Sequence, residues 1–582
     1  MEYTEQQYLQ SLERSLRLIR SRERLSLEAS IEELCKVLLI QIYLERESQR
    51  TLNDFVGHMV VMDDDNLDHY HELFLKYRLD NSFRGWDYLK LKLSTLMNVT
   101  DELTRESLFM SEKDAKANAF TEFLQLHYSG YLSEYSTPSV LNKYIMDVID
   151  PQRFCSFADP CCGLGGFLVE ASTHGCHSLE IKGYDINQRM VNTANLQLLM
   201  HGSVSCFVDC VDFTEVTYAF SDGPYEAIAS HLPFRYRTFS IAGQRNDIQR
   251  RRFSNNLEDV LVSHILKILK VHGIAALVVS DDLLYSERRA ESRRWLYQNA
   301  QILNITRFEG IAYNGSSNMR AYNVMFLRRV DAPTSDVCSA TMFNEGISES
   351  EIQDAARNLS KAIYSESLDV PKDKYFRYFR LMNEDVWNVN LIFAREQMGW
   401  NYPTCRLKDV MVHERQRVRV DNSANYKQLT VKSKGMGVVD RKEEYKGLHA
   451  EHIRYAAKSG QLIISSQEAV NGAVGIVPKE LNNALVSNNY YLFTIISPDV
   501  DPDYLAMVLC SEPVLKQLAF FKRGTVRPSV SIENIMSLVI PLPSIEEQKM
   551  LVANLKRKVR QVQMIQNDLE KEQKEFSHKL FG

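Results

Sequence analysis

The sequence predicts a multidomain α/β chain, in which a doubly wound core lies between an N-terminal helical domain and a C-terminal α+β domain with a long terminal helix. Three observations support this. The opening segment places apolar side chains three and four apart; from Thr121 short apolar runs alternate with polar helices; and one of those runs ends in clustered glycines where a helix begins. A chain of 582 residues is too long for one hydrophobic core, and 45% hydrophobic with 25% charged residues is the balance of a globular protein.

Residues 1–120 read as the helical domain, on Leu9, Leu12, Leu16 and Ile19 and then Ile31, Leu34, Val37 and Leu38. Residues 121–335 read as the doubly wound core, with strands expected at Phe154–Ala158, Glu180–Tyr184, Glu226–Ser230, Ile274–Ser280 and Tyr322–Leu327. A connecting segment is expected over 336–399, and an α+β domain of short strands and turns over 400–545. The terminal helix, over 546–582, repeats apolar residues at Leu551, Leu555, Val562, Ile565 and Leu569, the seam of a coiled coil. Neither end carries a signal peptide, and no run approaches the roughly 18 apolar residues that cross a bilayer, so a cytoplasmic protein without a membrane partner is expected. The ten cysteines show no paired metal spacing and read as reduced thiols, with no metal site. A net charge of −6 excludes indiscriminate coating of nucleic acid while leaving room for a local basic surface.

The glycine cluster is the main chemical signal. In Asp159-Pro160-Cys161-Cys162-Gly163-Leu164-Gly165-Gly166, the glycines at 163, 165 and 166 let backbone approach a ligand where no Cβ intervenes. Asp185, at the end of the next expected strand, stands roughly 20 residues downstream, the offset at which a carboxylate meets ribose hydroxyls in nucleotide-binding folds.

Asp159 to Leu168 resembles the S-adenosylmethionine loop DPACGTGGFL of adenine-specific DNA methyltransferases, in particular the modification subunits of type I restriction systems. Cys161 replaces the usual Ala and Leu164 the usual Thr. Upstream, Tyr135-Ser136-Thr137-Pro138 is similar to the YTP segment that lies along the cofactor in that family. The resemblance implies a Rossmann-like S-adenosylmethionine-dependent methyltransferase core, with Tyr135, Thr137, Pro138, Asp159, Pro160, Gly163, Gly165, Gly166 and Asp185 holding the cofactor. Asp212, before Phe213-Thr214, is the candidate to accept from the cofactor's adenine, with Asp209 as the alternative.

The family's catalytic motif, NPPY or NPPF, follows the fourth strand. Here that position reads His231-Leu232-Pro233-Phe234. The resemblance assigns Phe234 to stacking on a flipped base, Pro233 to a rigid backbone and His231 to the amine-acceptor position. A neutral imidazole has one acceptor nitrogen, whereas a protonated one has only donors. Two readings follow: an active adenine-specific enzyme, or a catalytically impaired module that still binds DNA.

A second resemblance spans Arg406-Leu407-Lys408-Asp409-Val410 to Pro541-Leu542-Pro543 and Glu546-Glu547-Gln548, with Gly460-Gln461-Leu462-Ile463-Ile464-Ser465 and Asn471-Gly472-Ala473-Val474-Gly475-Ile476-Val477 between them. It is similar to a target-recognition domain of the type I specificity subunits, and implies double-stranded DNA as the partner. Arg415, Arg417, Lys432, Lys434, Arg441, Lys522 and Arg523 are the candidate DNA contacts. The function expected is site-specific adenine methylation in a restriction-modification or related defence system. A homodimer paired through the terminal helices and a separate restriction subunit are further expectations.

Overall fold

The computed structural model describes residues 2–48, 51–61, 67–77, 79–104, 113–128, 137–175, 179–203, 206–214, 224–233, 256–312, 319–331, 337–365, 374–381, 387–390, 392–393, 401–419, 425–441, 445–446, 454–521 and 529–581. The chain divides into two units, Met1–Val389 and Asn390–Gly582.

In the first unit the described residues form a nine-stranded sheet. Its strands are β1 (Ser156–Asp159), β2 (Glu180–Asp185), β3 (Cys206–Cys210), β4 (Tyr225–His231), β5 (Leu269–Val279), β6 (Ala300–Ala312), β7 (Met319–Arg329), β8 (Val337–Phe343) and β9 (Phe376–Arg380). They lie in the order β3-β2-β1-β4-β5-β7-β6-β8-β9. β3, β2, β1, β4 and β5 are parallel, whereas β7 runs antiparallel to both β5 and β6. The interior strands read as near-continuous apolar runs because both faces are covered, as Ile274 to Val279 of β5, all buried, illustrate. Tyr144, from the helix Ser139–Ile149, packs edge-on against Phe308, Phe326 and Phe343, which locks that helix over β6, β7 and β8.

The sequence expectation of a mere connector over 336–399 is corrected here: β8 and β9 extend the same sheet. β8 reads Val-Cys-Ser-Ala-Thr-Met-Phe and lacks the branched apolar signature of a buried strand. It is buried all the same, because Asn304 of β6 donates to Ser339 Oγ and Thr341 Oγ1 at 2.8 and 2.9 Å and so satisfies its hydroxyls.

The N-terminal helices pack on the glycine-loop side of this sheet. Leu12, Leu16, Leu34, Leu38 and Phe120 share one core with Leu164 of the loop and with Met190 and Leu196 of the helix Gln188–Met200. Side-chain amides reinforce the seam: Asn192 donates to Arg84 O at 2.9 Å and Asn195 to Ser82 O at 3.1 Å. The helix Lys113–His127 runs through residue 120, so the expected boundary there falls inside an element.

In the second unit, strands Met411–His413, Tyr490–Ile495, Leu462–Ser465 and Val474–Ile476 form a four-stranded sheet, and Gln416–Val418, Arg454–Ala457 and Ala484–Val486 a three-stranded one. Thr404–Arg406 pairs antiparallel with Val539–Pro541, so the entry and exit of this unit are hydrogen-bonded neighbours. The helix Ile545–Phe581 follows at once, its first turn pinned by Gln548, which donates to both Asp499 O and Pro543 O at 2.8 Å. Beyond that turn it leaves Leu555, Ile565 and Leu569 exposed. Among the described residues no helix is long and apolar enough to cross a membrane.

One position joins fold to site. A Cβ at Gly183 of β2 would stand 2.5 Å from Leu168 Cδ1 and 2.9 Å from Val208 Cγ2. Gly183→Ala is expected to lower unfolding free energy by about 1–3 kcal/mol through overpacking, checked by urea denaturation beside wild type.

Candidate active site

Connections leave the sheet in opposite directions at β1 and β4, which are adjacent, and the crevice outside their carboxyl ends is where open α/β sheets take ligands. β1 ends at Asp159, β2 at Asp185 and β4 at His231.

From Asp159 the chain turns through the glycines into the helix Gly166–His174. Gly163 and Gly165 have φ of +51° and +85°, a region that L side chains enter only at a cost. The loop is registered on β2: Cys162 N–H donates to Tyr184 O at 2.9 Å and Gly163 N–H to Asp185 Oδ2 at 2.9 Å. Asp185 Oδ1 also accepts from Asn187 N–H at 2.8 Å. A Cβ on Gly166 would come within 2.4 Å of Asn142 Nδ2, so the helix starts pressed against its neighbour.

A cavity of about 330 Å³ opens beside this loop, near the lower bound of ligand sites. Pro160, Gly163, Asp185, Asp212, His231 and Pro233 line it, with Ile186, Phe213, Leu257 and Leu261 as its apolar wall. Of the two candidate acids after β3, Asp212 faces this cavity, its Oδ1 accepting from Thr214 N–H at 2.9 Å and Thr214 Oγ1 at 2.6 Å. Asp209 is bound instead to Lys182 Nζ at 2.8 Å.

Asp159 sits beneath the loop and does not line that cavity. It is 1% exposed, and its Oδ1 accepts from Ser230 Oγ at 2.8 Å and Cys161 N–H at 3.1 Å, tying β1 to β4. Burial pushes its carboxyl up to about 7, against the pull of those two donors. Burial also raises Asp185, opposed by its two backbone donors.

His231 ends β4 with its Nδ1 3.0 Å from Thr137 Oγ1 and its ring edge-on to Tyr322 at 6.0 Å. Burial pushes the imidazole down to about 4, so it is neutral at physiological pH. Leu232, where the resembling motif has proline, is buried and donates its N–H to Val278 O of β5 at 3.2 Å, a bond proline lacks. Pro138 is the N-cap of the helix Ser139–Ile149, next to Thr137. Tyr135 and Phe234 lie outside the described residues.

Three residues that sequence reasoning did not single out support this site. Ser230 anchors Asp159, and Asn142 seats against Gly166. Buried His264, whose Nδ1 lies 3.0 Å from Phe213 O, braces the loop after β3. Only Ser230 left a trace, as the residue before the aberrant motif.

In the second unit, the Arg415 guanidinium lies over Tyr455 at 4.7 Å and Tyr491 at 5.8 Å from the ring centres, a cation–π arrangement. Arg417, Lys432 and Lys434 are exposed, and Arg441, also exposed, donates to Gln428 Oε1 at 3.3 Å. Lys522 and Arg523 lie outside the described residues.

Asp159 carries a pH signature. Its folded pKa of about 7 exceeds the unfolded value of about 3.9, so the folded state holds the proton more tightly. Its contribution is therefore complete below about pH 4 and lost as pH rises through about 7. Asp159→Asn keeps an acceptor oxygen and is expected to gain on wild type by on the order of 1 kcal/mol between pH 5.5 and pH 8, checked by urea unfolding at both pH values.

The family described as N-6 DNA Methylase matches residues 119–373, and that described as Type I restriction modification DNA specificity domain matches residues 401–573. The chain is 22% identical over 272 residues to the Type I restriction enzyme EcoEI methylase subunit of Escherichia coli, which is 43% of this chain and 54% of that protein. It is 28% identical over 102 residues to the Type I restriction enzyme MjaVIII specificity subunit of Methanocaldococcus jannaschii, 17% of this chain and 24% of that protein. It thus spans about half the length, or less, of these curated relatives. Among solved structures, the type I restriction-modification methyltransferase subunit from Streptococcus thermophilus shares the fold, with a TM-score of 0.50 at 14% identity over 65% of this chain and 96% of that one. Residues 119–373 therefore belong to the N-6 DNA methylase family and residues 401–573 to the type I restriction modification DNA specificity family, the two joined in one chain.

Proposed function

We propose that this chain is a site-specific DNA methyltransferase that moves a methyl group from S-adenosylmethionine to the exocyclic amine of adenine in duplex DNA. The observation that carries the reading is the convergence of the glycine loop, Asp185, Asp212 and His231 on one cavity at the β1/β4 crevice.

The residues present suit the cofactor. Gly163, at φ +51°, brings bare backbone to the wall of this cavity, and the carboxylates of Asp185 and Asp212 suit ribose hydroxyls and an adenine amine. Asp185 already accepts two backbone N–H groups, yet a carboxylate offers about four lone-pair sites, so acceptor capacity remains. Ile186 and Phe213 offer apolar faces to a purine. When bound, S-adenosylmethionine supplies a methyl group on a sulfonium, a leaving group that needs no acid to depart.

The protein's task is then positioning. A duplex base must leave the stack to reach the crevice. Neutral His231 would accept one hydrogen of the amine and turn the nitrogen lone pair toward the methyl that the bound cofactor would supply, and the proton shed by the methylated amine would leave to water. Phe234 stacks on the base, and Pro233 stiffens the turn.

Sequence choice falls to the specificity domain, because it takes base-edge contacts in a groove to distinguish sites. Arg417, Lys432, Lys434 and Arg441, with Lys522 and Arg523, supply phosphate contacts, and Arg415, steadied on two tyrosines, is oriented for readout. One such domain reads one half of a bipartite site; a second copy, joined through the exposed apolar stripe of Ile545–Phe581, reads the other. Cleavage belongs to a separate restriction subunit, and the assembly acts in the cytoplasm.

The His231 substitution favours a second reading, a catalytically impaired module that retains DNA binding. Tritiated methyl transfer to unmethylated genomic DNA separates the two. Wild type is expected to label DNA, and His231→Ala to lower kcat about ten- to hundredfold, the loss of one hydrogen bond to a reacting group. No label with wild type and label with His231→Asn would establish the impaired reading.

A further inference from the structure

The specificity domain holds a cation whose surroundings set it apart from the exposed arginines and lysines around it. Arg415 stands in the link between the strands Met411–His413 and Gln416–Val418, which belong to different sheets. Glu414 N–H donates to Leu492 O at 3.0 Å, so the backbone of the link is pinned. The guanidinium lies over one ring from each sheet, Tyr455 from the three-stranded and Tyr491 from the four-stranded one. Together the rings restrain a partly buried side chain that would otherwise sample many rotamers.

What those surroundings lack is an acceptor. An aromatic face attracts the charge but offers no lone pair to an N–H. Among the described residues Arg415 makes no ion pair, and the carboxylate beside it in the chain, Glu414, accepts instead from Thr494 Oγ1 at 2.6 Å. The N–H donors of its fork are therefore held in place and unspent.

Register puts this fork on a basic face. Arg417 pairs opposite Tyr455 across antiparallel strands, so those two side chains share one face of the sheet, and the Arg415 guanidinium covers the same ring. Arg417 and Arg419 are exposed. A polyanion meeting this face finds exposed cations beside a restrained one.

The difference matters chemically. Phosphate contact asks for charge, which long exposed side chains supply. A restrained planar fork with donors only asks for two acceptors side by side. In the major groove guanine presents such a pair, O6 and N7; adenine sets a donor beside N7, thymine sets a methyl group beside its acceptor, and cytosine offers a donor.

We propose that Arg415 is a specificity-determining residue that reads guanine: its fork donates to O6 and N7 of one G·C pair in the target duplex, while Arg417 beside it binds phosphate. The inference rests on the DNA-recognition reading above and deepens it by naming the base that this side chain selects.

The test reads binding of duplex DNA by the full-length chain, so it does not depend on methyl transfer. Wild type is first given a randomised duplex pool, and the enriched site is expected to contain an invariant G·C pair. 7-Deazaguanine, which lacks the N7 acceptor, then replaces each guanine of that site in turn. One replacement is expected to weaken wild-type binding about tenfold. Two variants follow, each checked for an unchanged thermal midpoint: Arg415→Met, which keeps an apolar stem against the rings, and Arg415→Ala. Both are expected to lose about tenfold in affinity for the unmodified site and to be indifferent to that same replacement. Arg417→Ala is expected to weaken all duplexes alike and to reduce the slope of log Kd against log salt by about 1. If no guanine shows the loss in wild type, or if the loss persists in the Arg415 variants, the proposal is overturned. Uniform weakening by those variants with the base preference retained would also overturn it, by making Arg415 a phosphate contact. Wild type that binds duplexes without preference would overturn the DNA-recognition reading, and the proposal with it.

Discussion

The partial burial of one imidazole at the carboxyl end of β4 decides which protonation form that residue presents to the crevice. In water His231 would be partly charged near neutrality, and a charged ring has donors only. Enclosed between Thr137 and Tyr322, it is held down to about 4 by loss of solvation and keeps a lone pair. Any role as an acceptor toward a base depends on that burial, and the burial in turn depends on the sheet. Leu232 follows the histidine into the core and bonds to β5, so β4 is fixed to its neighbour up to its last residue.

Two carboxylates brace the rest of the crevice through bonds to the protein itself. Asp159 joins β1 to β4 through Ser230, and Asp185 joins the glycine loop to β2 through Gly163 N–H. Both are lifted in pKa by the dry surroundings they stitch together. The helical layer adds a second constraint, because Leu164 of the loop belongs to the core of the N-terminal helices. The loop is thus clamped between sheet and helices, which suits the positioning role proposed for the site.

Much of this was legible in the sequence. β1, β2, β4, β5 and β7 fall on the five expected strands, since buried parallel strands read as short apolar runs between turn signals. Gly163, Asp185, Asp212, His231 and Pro233 line one cavity, because their order follows the strand ends, whereas Gly165 does not line it. β8 was missed because its Ser339 and Thr341 are satisfied by a side chain 35 or more positions away, which no local pattern reveals. The Thr137–His231 pairing, 94 positions apart in sequence, was invisible for the same reason. Asp159 illustrates another limit: its place in the motif was legible, whereas its turn away from the large cavity toward Ser230 depends on the packing of β1 against β4.

Under the function proposed above, one chain would carry both a pocket that examines a single base and a surface that examines many, and neither alone would give site-specific chemistry. The most direct measurement is single-molecule sequencing of genomic DNA from a host carrying this gene beside one lacking it. The account predicts N6-methyladenine at one recurring sequence only where the gene is present. Genomes without modified adenine in either host, or methyl groups on cytosine instead, would contradict it.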